Sequence, residues 1–284
     1  MNDRGTVATP APPATRPVLV ITSKRALAFR ELWDSRYVLR QLAKKDITLR
    51  YRQTALGVLW VVLLPLLASG LLAFVFGSIA KLSSGNVPYV VYVFCGFLAW
   101  SGFSTVMTRA TASIVANAGL VTKVYFPRIV LPFSTAVSAL IDQIIGAVVL
   151  VVLLLVTGTG VSPRILLLPF VIMGMLLIAV GVGSWLAALA VPYRDINYIQ
   201  PALTQFLLFA SPVVFGLEQV PAKAARWIRI NPLTGWLELS RWCALPGRAF
   251  PTYAVLWSAV ATVGACLIGA VAFSRFEKSF ADVV

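Results

Sequence analysis

Six apolar runs dominate this 284-residue chain, each long enough for the ~20 residues that a helix needs to cross a bilayer. They lie near Ala55–Ala80, Tyr89–Met107, Arg128–Val156, Ile165–Val191, Ile199–Leu217 and Tyr253–Phe273, with Pro65 an expected kink in the first. Backbone in lipid has to satisfy its own hydrogen bonds, so such runs predict helices. The fold class is therefore an all-α membrane protein with six transmembrane helices. Composition agrees, with 59% hydrophobic and 12% charged residues and a mean hydropathy of +0.87, well outside the range of soluble domains. The N-terminus is polar, Pro-rich and basic and shows no short apolar segment with a cleavage site, so the first apolar run is expected to be the first span. Residues 1–30 read as a disordered cytoplasmic tail, residues 31–54 as an amphipathic interface helix and residues 55–284 as the six-span domain.

Orientation follows from the distribution of Lys and Arg. Seventeen cations fall before the first span, in the second and fourth connections and after the last span, against seven in the remaining connections. Both termini are thus expected in the cytoplasm. The stretch Leu32–Thr54 places Val38, Leu39, Leu42 and Leu49 within one helical arc and points Arg36, Arg40 and Lys44 elsewhere, with Asp46 and Arg50 at the edge of the arc. Such a helix is expected to lie in the interface with its cations toward headgroups. The large connection Glu218–Arg248 is expected outside. It carries Trp227, Trp236 and Trp242 and is broken by Pro232 and Gly235 into two short helices, apolar enough to dip back toward the bilayer. It reads either as a cover over a pore or as an interfacial cap.

Between the second and third runs lies Ala116–Pro132, which holds Asn117, Lys123, Tyr125, Phe126 and Arg128, with Pro127 placed to start the next helix. A plain connection would be short, polar and rich in Gly and Ser. This half-apolar one reads as an interfacial anchor or as a socket for a cytoplasmic partner.

Several chemistries have no residues to carry them. No Gly-x-x-x-x-Gly-Lys-Ser/Thr loop, Gly-x-Ser-x-Gly elbow, paired carboxylate or metal-ligand spacing occurs, His is absent, and the three cysteines are scattered. Neither catalytic nor metal residues are expected. Asp142 is the only acid deep inside an apolar run, with no evident Lys or Arg partner there, and faces a polar interior or a subunit interface. Tyr89, Tyr92, Trp100 and Phe103 share one face of the second run, either as a stacking path for sugars or as interface and core packing. Ala261, Ala265 and Gly269 recur at four-residue spacing in the last run, which permits close helix packing.

Four segments resemble the permease subunits of ABC-2 type transporters in the polysaccharide-export branch, which handles O-antigen, teichoic-acid and capsule-like glycans. They are Asp46–Pro65, Asn117–Pro132, Tyr193–Phe215 and Asn231–Trp242, in order across most of the chain. The resemblance implies a homodimer joined by two copies of a cytoplasmic ATPase that binds ATP and Mg, with no cofactor on this chain. It promotes the socket reading and assigns ATPase docking to Arg40, Lys44, Lys45, Asn117, Leu120, Lys123, Tyr125 and Phe126. A polyprenyl-diphosphate-linked glycan would enter past Arg50, Arg52 and Arg128. The channel would be lined by Tyr89, Tyr92, Trp100, Phe103 and Asp142. Two external gate helices would carry Trp227, Pro232, Trp236, Glu238 and Arg241. The expected location is the bacterial cytoplasmic membrane, among membrane lipids and away from nucleic acid. Alternatives are an ABC-2 exporter of drugs or lipids, a membrane-embedded glycan or lipid transferase, and an ion-driven carrier. The scarcity of catalytic residues argues against the transferase, and a lone intramembrane acid argues against the carrier.

Overall fold

The computed structural model describes residues 33–52, 59–124 and 126–276. The expected tail at residues 1–30, and Tyr125, lie outside them. The described residues are helical wherever they are regular. A first helix, α1 (Arg36–Arg52), contains neither Gly nor Pro and ends on Arg50 and Arg52, which favour the negative end of the helix dipole. Next, α2 (Leu59–Ala73) holds Pro65 inside it and continues as a π-wound turn over Phe74–Ile79. Helix α3 (Tyr89–Ala116) is followed by the single turn α4 (Ala118–Val121) and by α5 (Val130–Val156). A 3-10 turn over Pro163–Leu167 leads into α6 (Leu168–Ala190). Helix α7 (Ile196–Ala210) precedes two short helices, α8 (Ala222–Ile230) and α9 (Thr234–Ala244), and α10 (Thr252–Phe276) closes the described chain.

Five of these segments are long and apolar enough to cross a membrane: Leu59–Ile79, Tyr89–Ala116, Val130–Val156, Pro163–Ala190 and Thr252–Phe276. The chain is a multi-pass membrane protein. The second crossing outruns its expected end at Met107, because the helix carries on through Ala116. The fifth apolar run behaves differently. Its helix covers only 15 residues, about 22 Å at 1.5 Å per residue, and stops where Ser211 turns extended (ψ 147°) ahead of Pro212.

Helix α3 is the hub and packs against α2, α5, α6, α7 and α9. Its side chains Val91, Tyr92, Val93, Phe94, Cys95, Val106 and Met107 are all buried in the main core. Helix α6 packs on the other side against α10. Small residues set that contact: a side chain at Gly181 would meet the backbone of Ala265 and Cys266 at 2.6 and 2.7 Å, and one at Gly269 would run into the Gly181 carbonyl. Two of the three small residues noted in the last run are thus at the crossing, where backbones approach closely.

Replacing Gly181 by Val should force α6 and α10 apart. The expected loss is about 1–3 kcal/mol, read as a lower melting temperature of the solubilised chain. In contrast, Gly264 of α10 has no neighbour within 4 Å of an added Cβ. Gly264→Ala should be neutral or raise stability by about 0.5–1 kcal/mol.

Candidate functional site

The candidate residues collect at the two ends of the bundle. At one end, α1 packs most of its apolar face against the rest of the protein and leaves Leu49 exposed. Leu42 is buried with Val121, Phe126, Val130 and Leu131, and Val38, Leu39 and Leu120 pack on the same cluster. The interface helix and the 117–131 turn thus form one body. Lys45 Nζ reaches Asn117 Oδ1 at 3.5 Å, and Asn117 Nδ2 donates to the Ser113 carbonyl at 2.9 Å. Arg40, Lys44, Lys45 and Lys123 all lie on the exposed surface of that body. Leu120 is half-buried and Phe126 is buried, so these two hold the turn against α1 and leave the exposed surface to the cations. Burial raises the pKa of the Asp46 carboxyl above its ordinary value, with Lys45 and Arg50 opposing the shift.

Asp142, for which no Lys or Arg partner is expected within the spans, finds its partners on α1 instead. One oxygen of Asp142 accepts from Arg50 Nη1 and the other from the Tyr51 hydroxyl, both from the last turn of α1. The resemblance assigns Arg50, with Arg52 and Arg128, to a substrate entrance. In the structure its charge is matched by Asp142, whereas Arg52 is exposed and Arg128 is half-buried ahead of α5. Sequence could single out Asp142, but its partners lie 91 and 92 positions away.

At the opposite end the central residue is Arg241 of α9, which is wholly buried. Its Nη2 donates to the Val213 carbonyl at 2.7 Å and its Nη1 to the Phe215 carbonyl at 3.2 Å and to Glu238 Oε1 at 2.8 Å. Between those two carbonyls, the Val214 carbonyl accepts from the Tyr89 hydroxyl at 3.0 Å. Asn231 donates to the Ala210 carbonyl at 3.2 Å and to Ser211 Oγ at 2.8 Å. These donors replace the helical hydrogen bonds that the chain gives up after Ala210. Irregular backbone at this depth is tolerated only where protein satisfies it. Gly96 of α3 makes room for the arrangement, since a side chain there would collide with the Val213 carbonyl and the Arg241 guanidinium.

The same guanidinium lies 4.2 Å from the Tyr92 ring centre, and Arg248 lies 5.0 Å from it. Arg248 also pairs with Glu218 at 3.0 Å and with Glu238 at 3.5 Å. Tyr92, Trp100 and Phe103 are buried in the protomer core and Tyr89 is half-buried. Of the two readings of the aromatic stripe, the structure therefore gives core packing. Trp236 is buried on Gly174 and donates from Nε1 to Thr262 at 3.1 Å, so α9 is wedged among α3, α6 and α10. Helix α8 stays at the surface, with Trp227 exposed and Pro232 half-buried at the bend between the two short helices.

The course of α7 is fixed by contacts at its two ends. Gln200 Nε2 donates to Thr108 Oγ1 at 2.9 Å, and Val214 is held by Tyr89. Tyr89 and Thr108 are 19 residues apart on α3, about 28 Å along its axis. Helix α7 and the turn after it, in which the Val213 N–H donates to the Ser211 carbonyl at 2.8 Å, together run antiparallel to α3.

Residues 37–245, from α1 through α9, match the family described as ABC-2 type transporter. The chain belongs to that family. Among ABC-2 relatives, the O-antigen export system permease protein of Myxococcus xanthus is 31% identical over 206 residues, covering 72% of this chain and 78% of that one. A permease protein of the same description from Klebsiella pneumoniae is 25% identical over 244 residues, covering 86% and 93%. A polysialic acid transport protein of Escherichia coli is 26% identical over 240 residues, covering 83% and 92%.

Replacing Arg241 by Met should strand the Val213 and Phe215 carbonyls and leave Glu238 with only the longer contact to Arg248 at 3.5 Å. Breaking a buried pair of this kind costs about 3–5 kcal/mol. A large fall in melting temperature or in the yield of inserted protein is expected. Arg241→Lys should fall between Met and the parent, since an ammonium lacks the planar fork that serves two carbonyls and a carboxylate together.

Proposed function

We propose that this chain is the permease subunit of an ATP-driven exporter that carries a polysaccharide across the bacterial cytoplasmic membrane. The observation that carries the reading is the similarity, continuous from α1 through α9, to permeases named for O-antigen export and polysialic acid transport. The substrate would be presented as a polyprenyl-diphosphate-linked glycan, its anionic head meeting Arg52 and Arg128. Two copies of the chain would form the channel between them, with two copies of an ATPase that binds ATP and Mg below. As a transport subunit, this chain leaves hydrolysis to that partner.

The joined surface of α1 and the 117–124 turn supports the docking part of this reading. A body built by Leu42, Val121 and Phe126 leaves Arg40, Lys44, Lys45 and Lys123 exposed. Its apolar residues serve to hold it together, so the partner contact would be carried by charge and be weakened by salt. With both termini cytoplasmic, as the distribution of Lys and Arg expects, α7 and the turn after it would make the sixth crossing. Helices α8 and α9 would then lie on the outer side, and Glu238 and Arg241 would brace the gate from within.

Charge reversal at Lys44 and Lys123 together should abolish co-purification of the ATPase and surface display of the glycan, with insertion of the permease unchanged. An ATPase that still co-purifies in equal amount, with normal surface glycan, would overturn the docking assignment. Purification of the parent chain from its own membrane, with the associated ATPase and transported material identified, tests the exporter reading as a whole.

A further inference from the structure

We infer that Asp142 is the positioning residue that joins α1 to the third membrane-crossing helix, and that the Arg50–Asp142–Tyr51 clamp transmits movement of α1 into that helix. The inference rests on the exporter reading for what the movement accomplishes, and on the structure for the clamp itself.

Among the described residues of the five long spans, Asp142 is the only carboxylate. Such a group is costly in an apolar setting unless it is paired. It is paired twice, through both oxygens and with adjacent residues of one helix. Its side chain is 18% exposed and that of Arg50 is 23% exposed, so water screens the pair only in part. The clamp is also placed far from the apolar contact between the same two helices. Leu42 meets Val130 and Leu131 near the start of α5, whereas Arg50 and Tyr51 meet Asp142 eleven or twelve residues further on, about 17 Å along the axis. Contacts this far apart hold α1 along α5 at its middle and at its last turn, and the clamp is the charged one of the two.

Arg50 Nη2 is buried and has no hydrogen-bond partner. A guanidinium that satisfied only a surface salt bridge would turn that edge to water. Here the geometry is set by Asp142 and Tyr51 at the expense of the free edge, as expected of a contact that fixes position. Any force applied to the exposed cations Arg40, Lys44 and Lys45 then reaches α5 through Asp142, deep inside the span, as well as through the turn before it.

The test is the ratio of glycan exported to ATP hydrolysed by the permease–ATPase complex in membranes. A substitution that merely lowers the amount of folded complex reduces both quantities together and leaves the ratio unchanged. Asp142→Asn and Arg50→Gln should each lower the ratio at least tenfold. The double variant should be no worse than either single one, because members of one contact are not additive. Tyr51→Phe should give a smaller loss, and Asp142→Glu should restore most of the ratio. An unchanged ratio in Asp142→Asn, or additive losses in the double variant, would overturn the inference. A second measurement needs no glycan: spin labels at the exposed positions Gln41 and Ile144 report the α1–α5 distance in the full complex. A distance distribution that is narrow in the parent and broad in Asp142→Asn is expected, and identical distributions would overturn the clamp. A parent complex that moves no glycan yet shows this difference would remove the exporter reading and leave the clamp standing.

Discussion

Much of the structure depends on one guanidinium. The polypeptide after Ala210 leaves the helical path while still inside the bundle, and every peptide group there has to find a partner. Arg241 supplies two of them, and Tyr89 and Asn231 supply others. A charged group so placed is itself expensive, and Glu238 at hydrogen-bond distance with the Tyr92 ring face balances it. The buried position of α9 follows, since the helix has to bring Arg241 to the 213–215 carbonyls. The absence of a side chain at Gly96 and Gly174 lets it come that close. Two of the segments by which the chain resembles its family, Tyr193–Phe215 and Asn231–Trp242, are thus the two halves of one contact.

The opposite end is organised on the same terms. The basic helix α1 and the turn after α3 are separated by more than sixty residues, yet they share one small apolar cluster. Burying Leu42 and Phe126 against each other removes apolar area from water and headgroups alike, and leaves the cations with nowhere to go but the surface. Lipid anchoring and partner docking are therefore not competing roles for the same side chains. Apolar residues make the body, and charged residues make its surface.

Hydropathy made the spans legible, because twenty apolar residues in lipid leave a backbone little choice but helix. It could not read where the helix within Ile199–Leu217 ends. An apolar run has the same composition whether it stays helical throughout or breaks into a turn, and the donor that serves the carbonyls of that turn, Arg241, comes from a later element. The aromatic face of the second run was equally ambiguous, since a stripe on a central helix looks alike whether it faces a channel or a neighbouring helix. Asp142 stood out as an oddity in its span, but nothing local to it pointed to Arg50 or Tyr51.

By itself, the sequence determined the class of the protein, the number of apolar runs, the break at Pro232 and the basic character of α1, all of which are local consequences of side-chain polarity and backbone freedom; the break expected at Gly235 does not occur, since that residue lies inside α9. Only the tertiary structure decided which polar groups meet. Arg50 with Asp142, Lys45 with Asn117, and Arg241 with the carbonyls of Val213 and Phe215 are pairings between distant positions. In an apolar interior such groups take the partner that packing delivers, and packing is a property of the assembled helices.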